Sequence, residues 1–350
     1  MRKHFAAVAA FLLALACSTG PGHAQAGALP TEMWAAYKAK FLDGSGRIVD
    51  NGNGNVSHTE GQGYGLLLAY LANDPEGFEQ IWSFTRTELL VRDDGLAAWR
   101  WEPDASPHVT DVNNASDGDI LIAYALALAG SHWNKPVYVT EASSIAKSVL
   151  RNLVVTWRGR TILLPAAEGF DQKHRDDGPV INPSYWVFEA FPVLALLAPS
   201  EKWSELSDEG LRLMHDVQLG PSRLPSEWVS LATAPKLAAG FPAEYGYNAL
   251  RIPLYLMRGG VTEKALLDRF SRGWSADDTG GVGIVDIPGG RVKERLDDPG
   301  YQIINHIAAC ITDGTKLGTA VQQFNPVLYY PSTLQLLGLA FVRENYPQCL

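Results

Sequence analysis

The 350-residue sequence predicts an all-α protein, about a dozen helices wound into a closed double ring, with short strands confined to loops. Three observations lead there. Apolar residues recur at helical spacing in about a dozen separate blocks, while clean strand-like alternation is nearly absent. Several blocks, residues 120–129 above all, are apolar on almost every side, as helices enclosed by a second layer are. No linker, low-complexity tract or repeat divides the chain, so a single domain is expected.

The helical blocks run in order as TEMWAAYKAKFL, GYGLLLAYLA, PEGFEQIWSFTRTELL and DGDILIAYALALAG, then VTEASSIAKSVLRNLVV, PSYWVFEAFPVLALLAP, KWSELSDEGLRLMHDV and YNALRIPLYLMRG. TEKALLDRFSRGW, YQIINHIAACIT, KLGTAVQQFN and STLQLLGLAFVREN complete the series. Between them lie loops rich in Gly, Pro, Asn and Asp, where function should sit. GRTILLP and GGVGIVDIP are the best strand candidates.

Ahead of the first helix, Arg2 and Lys3 precede an apolar stretch, residues 5–16, too short to span a bilayer. Ala24-Gln25-Ala26 then gives an A-x-A cleavage site, so residues 1–26 read as a secretory signal peptide and 27–350 as the domain. A lipoprotein signal ending at Cys17 is the alternative, though Ala14 stands where leucine is usual. Export to the periplasm or the medium follows, and no later segment reads as membrane-spanning. Cys310 and Cys349 remain, and they either pair or stay as separate buried thiols.

A net charge of −9 argues against nucleic acid as partner, since that requires a basic surface. Ten Trp and thirteen Tyr exceed what four Met would suggest, and flat platforms for sugar rings are one use for them. The eight His are scattered and the cysteines lack metal-ligand spacing, so neither metal nor cofactor is expected. There is no G-x-G-x-x-G before a helix, no P-loop and no G-x-S-x-G elbow.

What remains is a set of polar and aromatic clusters at the starts of apolar helices. Glu60 stands with Gln62 and Tyr64; TDVNNASDGD carries Asp111, Asn113, Asn114, Asp117 and Asp119. INPSYW holds Asn182, Tyr185 and Trp186, and AEYGYNALR runs from Glu244 to Arg251. Each has a plain structural use: Asp at a helix start caps it and complements its dipole, and Pro183 suits a first turn. Repetition changes the balance, with WRWEP (Trp99, Trp101) as a further aromatic group. If the inner helices run parallel, all four clusters meet at one end of the ring. Carboxylates lined by aromatics, without a cofactor, are the equipment of glycoside hydrolysis.

These same residues carry a resemblance. SHTEGQGYGLLLAYLANDPEGFEQIWSFTR, VTDVNNASDGDILIAYALALAG, INPSYW and GYNALRIPLYL resemble motifs of glycoside hydrolase family 8, and most closely its exported cellulases that accompany bacterial cellulose synthesis. The likeness runs from about residue 30 to the C-terminus. It implies an (α/α)6 barrel of six inner and six outer helices, and inverting hydrolysis of β-1,4-glucan. Glu60 matches the general acid, and Asp117 the acid that contacts and distorts the sugar at the cleavage point. Tyr185, Tyr247 and Arg251 match pocket residues, Asn182 belongs to the INPSYW motif, and Trp99 and Trp101 look like stacking platforms.

One position departs from the pattern. Many members carry Asp, the general base, where this chain has Asn248, and an amide cannot take the water's proton at neutral pH. Asp117, directly or through a water held by Asn248, is the expected acceptor; Asp119 and Glu244 are the other candidates. The apolar helix after Glu60 is expected to keep the acid protonated, and Gly61, Gly63 and Gly65 to let a sugar chain approach the backbone. The reading is an endo-1,4-β-glucanase, with a monomeric protein and a β-1,4-glucan as its partner. A non-catalytic β-glucan-binding protein, and a hydrolase of chitosan or xylan, are the alternatives.

Overall fold

The computed structural model describes residues 24–275 and 281–350. The expected signal segment lies outside them, except for its last three residues. Twelve α-helices occur among the described residues, one for each block above: α1 Thr31–Phe41, α2 Thr59–Leu71, α3 Pro75–Phe84, α4 Ser116–His132, α5 Pro136–Asn152 and α6 Ala190–Leu197. After these come α7 Lys202–Asp216, α8 Ile252–Arg258, α9 Lys264–Gly273, α10 Pro299–Asp313, α11 Thr319–Gln322 and α12 Tyr329–Asn345. The block expected over residues 316–325 shrinks to the single turn α11. The blocks PSYW and YNALR begin as 3-10 turns, Pro183–Tyr185 and Asn248–Arg251, before α6 and α8.

The helices alternate in role along the chain. Helices α2, α4, α8 and α12 are buried on nearly every face, and α10 has no exposed residue before Asp313. Neighbours in this inner set touch in order: α2 with α4, α4 with α6, α8 with α10, α10 with α12, and α12 back to α2. Between α6 and α8 the ring closes through the two 3-10 turns and a buried ion pair, Arg258 Nε to Glu189 Oε1 at 2.6 Å. The even-numbered helices thus form the inner ring. The odd-numbered helices pack outside, for example α3 on α2, α5 on α4, and α1 on α12. The product is the expected (α/α)6 barrel.

Glycines of α2 set its closeness to α4 and to the loop at Ile48. A Cβ added at Gly63 would lie 2.6 Å from the Leu121 Cβ, and one at Gly65 would lie 2.5 Å from Ile48 Cγ1. Their task is helix packing, not the room for sugar expected from the sequence. Among the described residues, ten short strands fall in the loops and make four small antiparallel sheets. Both strand candidates are present, as Arg160–Leu163 and Val282–Asp286. Strands β1 Ser57–His58 and β2 Arg100–Trp101 pair Ser57 with Trp101, which ties the start of α2 to the tryptophan loop. Cys310 on α10 is bonded to Cys349, so the two thiols pair. No helix among the described residues is long and apolar enough to cross a membrane.

Candidate active site

Glu60 is the one residue of α2 that is not buried. It stands in the first turn, held in place from below. The His58 ring accepts the Gly61 N–H at Nδ1 (3.0 Å) and so caps the helix. Buried Gln62 accepts the Ile48 N–H at 2.7 Å and donates to Thr85 Oγ1 at 3.0 Å. The first turn is therefore fixed to two neighbouring segments, and Glu60 projects from its rim.

A cleft of about 690 Å³ opens at this end of the barrel. Glu60 and Asp117 line it from the starts of α2 and α4, Tyr185 and Asn248 from the turns before α6 and α8, and Tyr329 and Tyr330 from the start of α12. The convergence expected for parallel inner helices is present. Its walls are aromatic. Trp99 lines one side, its indole N–H donating to Asp111 Oδ2 at 2.8 Å, which fixes the ring plane. Trp228 lines another, clustered with Phe170 (centroids 5.3 Å, 12°) and Phe241 (4.5 Å, 18°), which lie 6.3 Å from each other, and with Tyr185 edge-on at 6.3 Å. Flat, apolar faces beside convergent carboxyls suit a sugar chain.

Arg251 lies under this floor, not in it. The residue is 0% exposed, and its two terminal nitrogens bind Glu60 Oε2 and Asp117 Oδ2. The resemblance had suggested a substrate-contacting pocket residue; the structure makes Arg251 the bridge between the two acids. The setting of Glu60 is correspondingly less apolar than expected. Two carboxylates, one buried and one at the cleft rim, share one cation. Burial, with the nearby Glu60 charge, holds the Asp117 carboxyl above the usual carboxylate range, although Arg251 works the other way. With both acids ionised the trio carries one negative charge, and one proton neutralises it.

Two other expected contacts sit elsewhere. Asn182 is buried, and its side-chain Oδ1 accepts the Ser184 N–H at 3.1 Å and the Ser184 hydroxyl at 2.7 Å, holding the turn that presents Tyr185. Trp101 does not line the cleft: its ring stacks on His108 at 4.1 Å, lies under Arg47 at 4.4 Å and packs against Phe84. Tyr247 does line it, 44% exposed, with its hydroxyl donating to Glu294 at 2.9 Å. Asp119 accepts from the Ala97 N–H and from Asn114 Nδ2, both at 2.8 Å, and holds a neighbouring loop. Glu244 pairs with Lys293 at 2.5 Å, outside the cleft lining.

Comparison with known proteins adds to this geometry. Residues 4–342 match the model of glycosyl hydrolases family 8. The chain belongs to glycosyl hydrolase family 8. A probable endoglucanase of Novacetimonas hansenii is 36% identical over 274 residues, 77% of this chain and 79% of that one. An endoglucanase of Cellulomonas uda is 41% identical over 225 residues, which is 64% of this chain and 62% of the relative. Among solved structures, a family 8 endoglucanase of Klebsiella pneumoniae superposes with a TM-score of 0.80 at 32% identity, covering 89% of this chain and 99% of that one. An endo-β-1,4-glucanase of Acetobacter xylinum gives 0.78 at 34% identity, covering 90% and 98%. The family 8 assignment and the (α/α)6 barrel agree with the motifs at Glu60 and Asp117.

The sequence had not singled out Trp228, Phe170, Tyr329, Tyr330 or Asp50, all of which line the family 8 cleft. The consecutive pair Tyr329-Tyr330, at the start of an apolar helix, repeats the pattern of the other four clusters and could have been found by it.

Proposed function

We propose that this glycoside hydrolase is an exported endo-1,4-β-glucanase that cleaves internal β-1,4 bonds of cellulose or a related β-glucan with inversion. The observation that carries the reading is Glu60, alone unburied on its helix, at an open cleft between the Trp99 and Trp228 platforms. An open, aromatic-walled cleft admits the middle of a polymer. The endoglucanase names of the relatives point to the same substrate. The working unit is one barrel, residues 27–350, active as a monomer in the periplasm or outside the cell, with a functional link to cellulose synthesis.

In this mechanism Glu60 gives its proton to the oxygen of the departing sugar. Among the described residues its Oε1 has only the Tyr329 hydroxyl, at 3.4 Å, so it is the carboxyl oxygen open to the cleft. Asp117 holds the sugar at the cleavage point and Arg251 fixes both acids in one geometry, so that little rearrangement accompanies the reaction. A water attacks from the opposite face.

Reducing-sugar release from carboxymethylcellulose tests the reading with wild type and Glu60→Gln side by side. The substitution should lower turnover by about 10²–10⁴-fold while glucan binding persists. Turnover within about tenfold of wild type would reduce Glu60 to a first-turn acid. Tight glucan binding with no hydrolysis by wild type would establish a non-catalytic binding protein, the reading that Asn248 favours. A chitosan and xylan panel run alongside fixes the glycan.

A further inference from the structure

Inversion requires an acceptor for the water's proton on the face of the sugar away from Glu60, with the two carboxyls roughly 6.5–9.5 Å apart. Asp117 is poorly placed for that task, because the same guanidinium binds it and Glu60 and so holds both on one side. Asp119 and Glu244 are engaged elsewhere, with the Ala97 loop and with Lys293. Asn248 does line the cleft, and behind it lies a carboxylate that no sequence motif announced.

That carboxylate is Glu227, 8% exposed and next in the chain to the Trp228 platform. Its Oε1 accepts the Asn248 backbone N–H at 2.7 Å. The Asn248 side chain and the Ala249 backbone also favour its charged form. A carboxylate can only accept from an amide, so the Asn248 side chain turns its Nδ2 toward Glu227. Oδ1 is then the amide atom left for a water in the cleft. No Lys, Arg or His forms an ion pair with Glu227 among the described residues. The backbone makes room for it: a Cβ added at Gly246 would lie 2.5 Å from Glu227 Oε1. A buried, unpaired carboxylate is expensive to keep, and a neutral glutamine would cap the same turn.

We infer that Glu227, acting through the Asn248 amide, is the acceptor for the proton of the attacking water. This rests on the hydrolase reading given above. As the water oxygen bonds to the anomeric carbon, the bond from that carbon to the departing oxygen breaks, and Glu60 protonates that oxygen. The water's proton passes to Asn248 Oδ1 while a proton on Nδ2 passes to Glu227, leaving the imidic acid form of the side chain. Glu227 then returns its proton to Nδ2, Oδ1 releases its proton to solvent, and Glu60 takes one up. One water is consumed and no proton is gained or lost. Burial, reinforced by the charge of Glu244, holds the Glu227 carboxyl above its ordinary range against the hydrogen bonds that lower it, which favours acceptance. Asn248 is the group that touches the water; Glu227 is a positioning residue that acts through it.

The test uses a soluble cello-oligosaccharide, with kcat, KM and melting temperature read for each protein. Glu227→Gln keeps an acceptor for the backbone N–H groups but cannot take a proton. Its kcat should fall by about 10²-fold or more, with KM within about threefold. The double variant Glu227→Gln/Asn248→Asp places a carboxylate in the cleft itself, and its kcat should return to within about tenfold of wild type. A purely structural Glu227 would show no such recovery. Asn248→Ala, which leaves Glu227 in place, should lose kcat to the same extent, and it carries the test if Glu227→Gln does not fold. Active wild type with kcat retained in Glu227→Gln or in Asn248→Ala overturns the relay but leaves the hydrolase reading intact. Loss in Glu227→Gln without recovery in the folded double variant overturns the relay as well. Inactive wild type would instead overturn the hydrolase reading.

Discussion

Replacing Arg251 by Met removes the cation shared by Glu60 and Asp117 while keeping much of the side-chain volume. The guanidinium is 0% exposed, and the two carboxylate side chains are 14% and 2% exposed. Removing one partner of a buried ion pair costs about 3–5 kcal/mol, because the remaining charge stays buried without compensation. Here two carboxylates lose one partner, so the upper part of that range is expected at pH 8. The cost should depend on pH with a definite sign. Asp117 already sits above the usual carboxylate range through burial, and loss of Arg251 removes the main opposing influence. A folded-state value above the unfolded one means that the native variant binds more protons than its unfolded chain, so its stability falls as pH rises through that window. Each pH unit corresponds to about 1.4 kcal/mol per proton. Between pH 8 and pH 5 most of the penalty should therefore disappear. Urea unfolding followed by tryptophan fluorescence, for wild type and variant at pH 5, 6.5 and 8, gives the difference directly. A penalty below about 1 kcal/mol, or one equal at all three pH values, would refute the shared-cation account.

Trp228→Ala removes the tryptophan of the Phe170–Trp228–Phe241 cluster and should raise KM for cello-oligosaccharides about tenfold, with kcat within a few-fold; an unchanged KM would show that the platform is not used. Burial pushes the Glu344 carboxyl up to about 7, so wild-type stability should fall as pH rises from about 4.5 to 7. Glu344→Gln should flatten that slope by about 3 kcal/mol, measured as melting temperature against pH; an unaltered slope would contradict the assignment.

The barrel was legible because its signal is periodic and repeated. Helix α4 reads as apolar on all sides from residue 120 to 129, and only a second helical layer can enclose such an element. Glu60 and Asp117 were legible as acids at the starts of apolar helices. The Trp228 platform was not. It rests on Phe170 and Phe241, which no periodicity links to it, so only the folded loops create the surface. Arg251 was found but misplaced, since a motif match gives identity without depth. Its setting held a clue: in YNALRIPLYLMRG both arginines sit in an apolar run, and a buried arginine needs an acid. The structure supplies Glu60 and Asp117 for Arg251, and Glu189 for Arg258. Gly63 was misread because its contact, Leu121, lies on another helix.

The anomeric form of the first product tests the central claim, that water attacks opposite Glu60 in a single displacement. Proton NMR of a cello-oligosaccharide digest, recorded in the first minutes before mutarotation, distinguishes the two outcomes. The account predicts that the newly formed reducing end is the α-anomer. A β-anomer as the first-formed product would mean a double displacement through a covalent intermediate, and would contradict both the single displacement and the need for a separate proton acceptor.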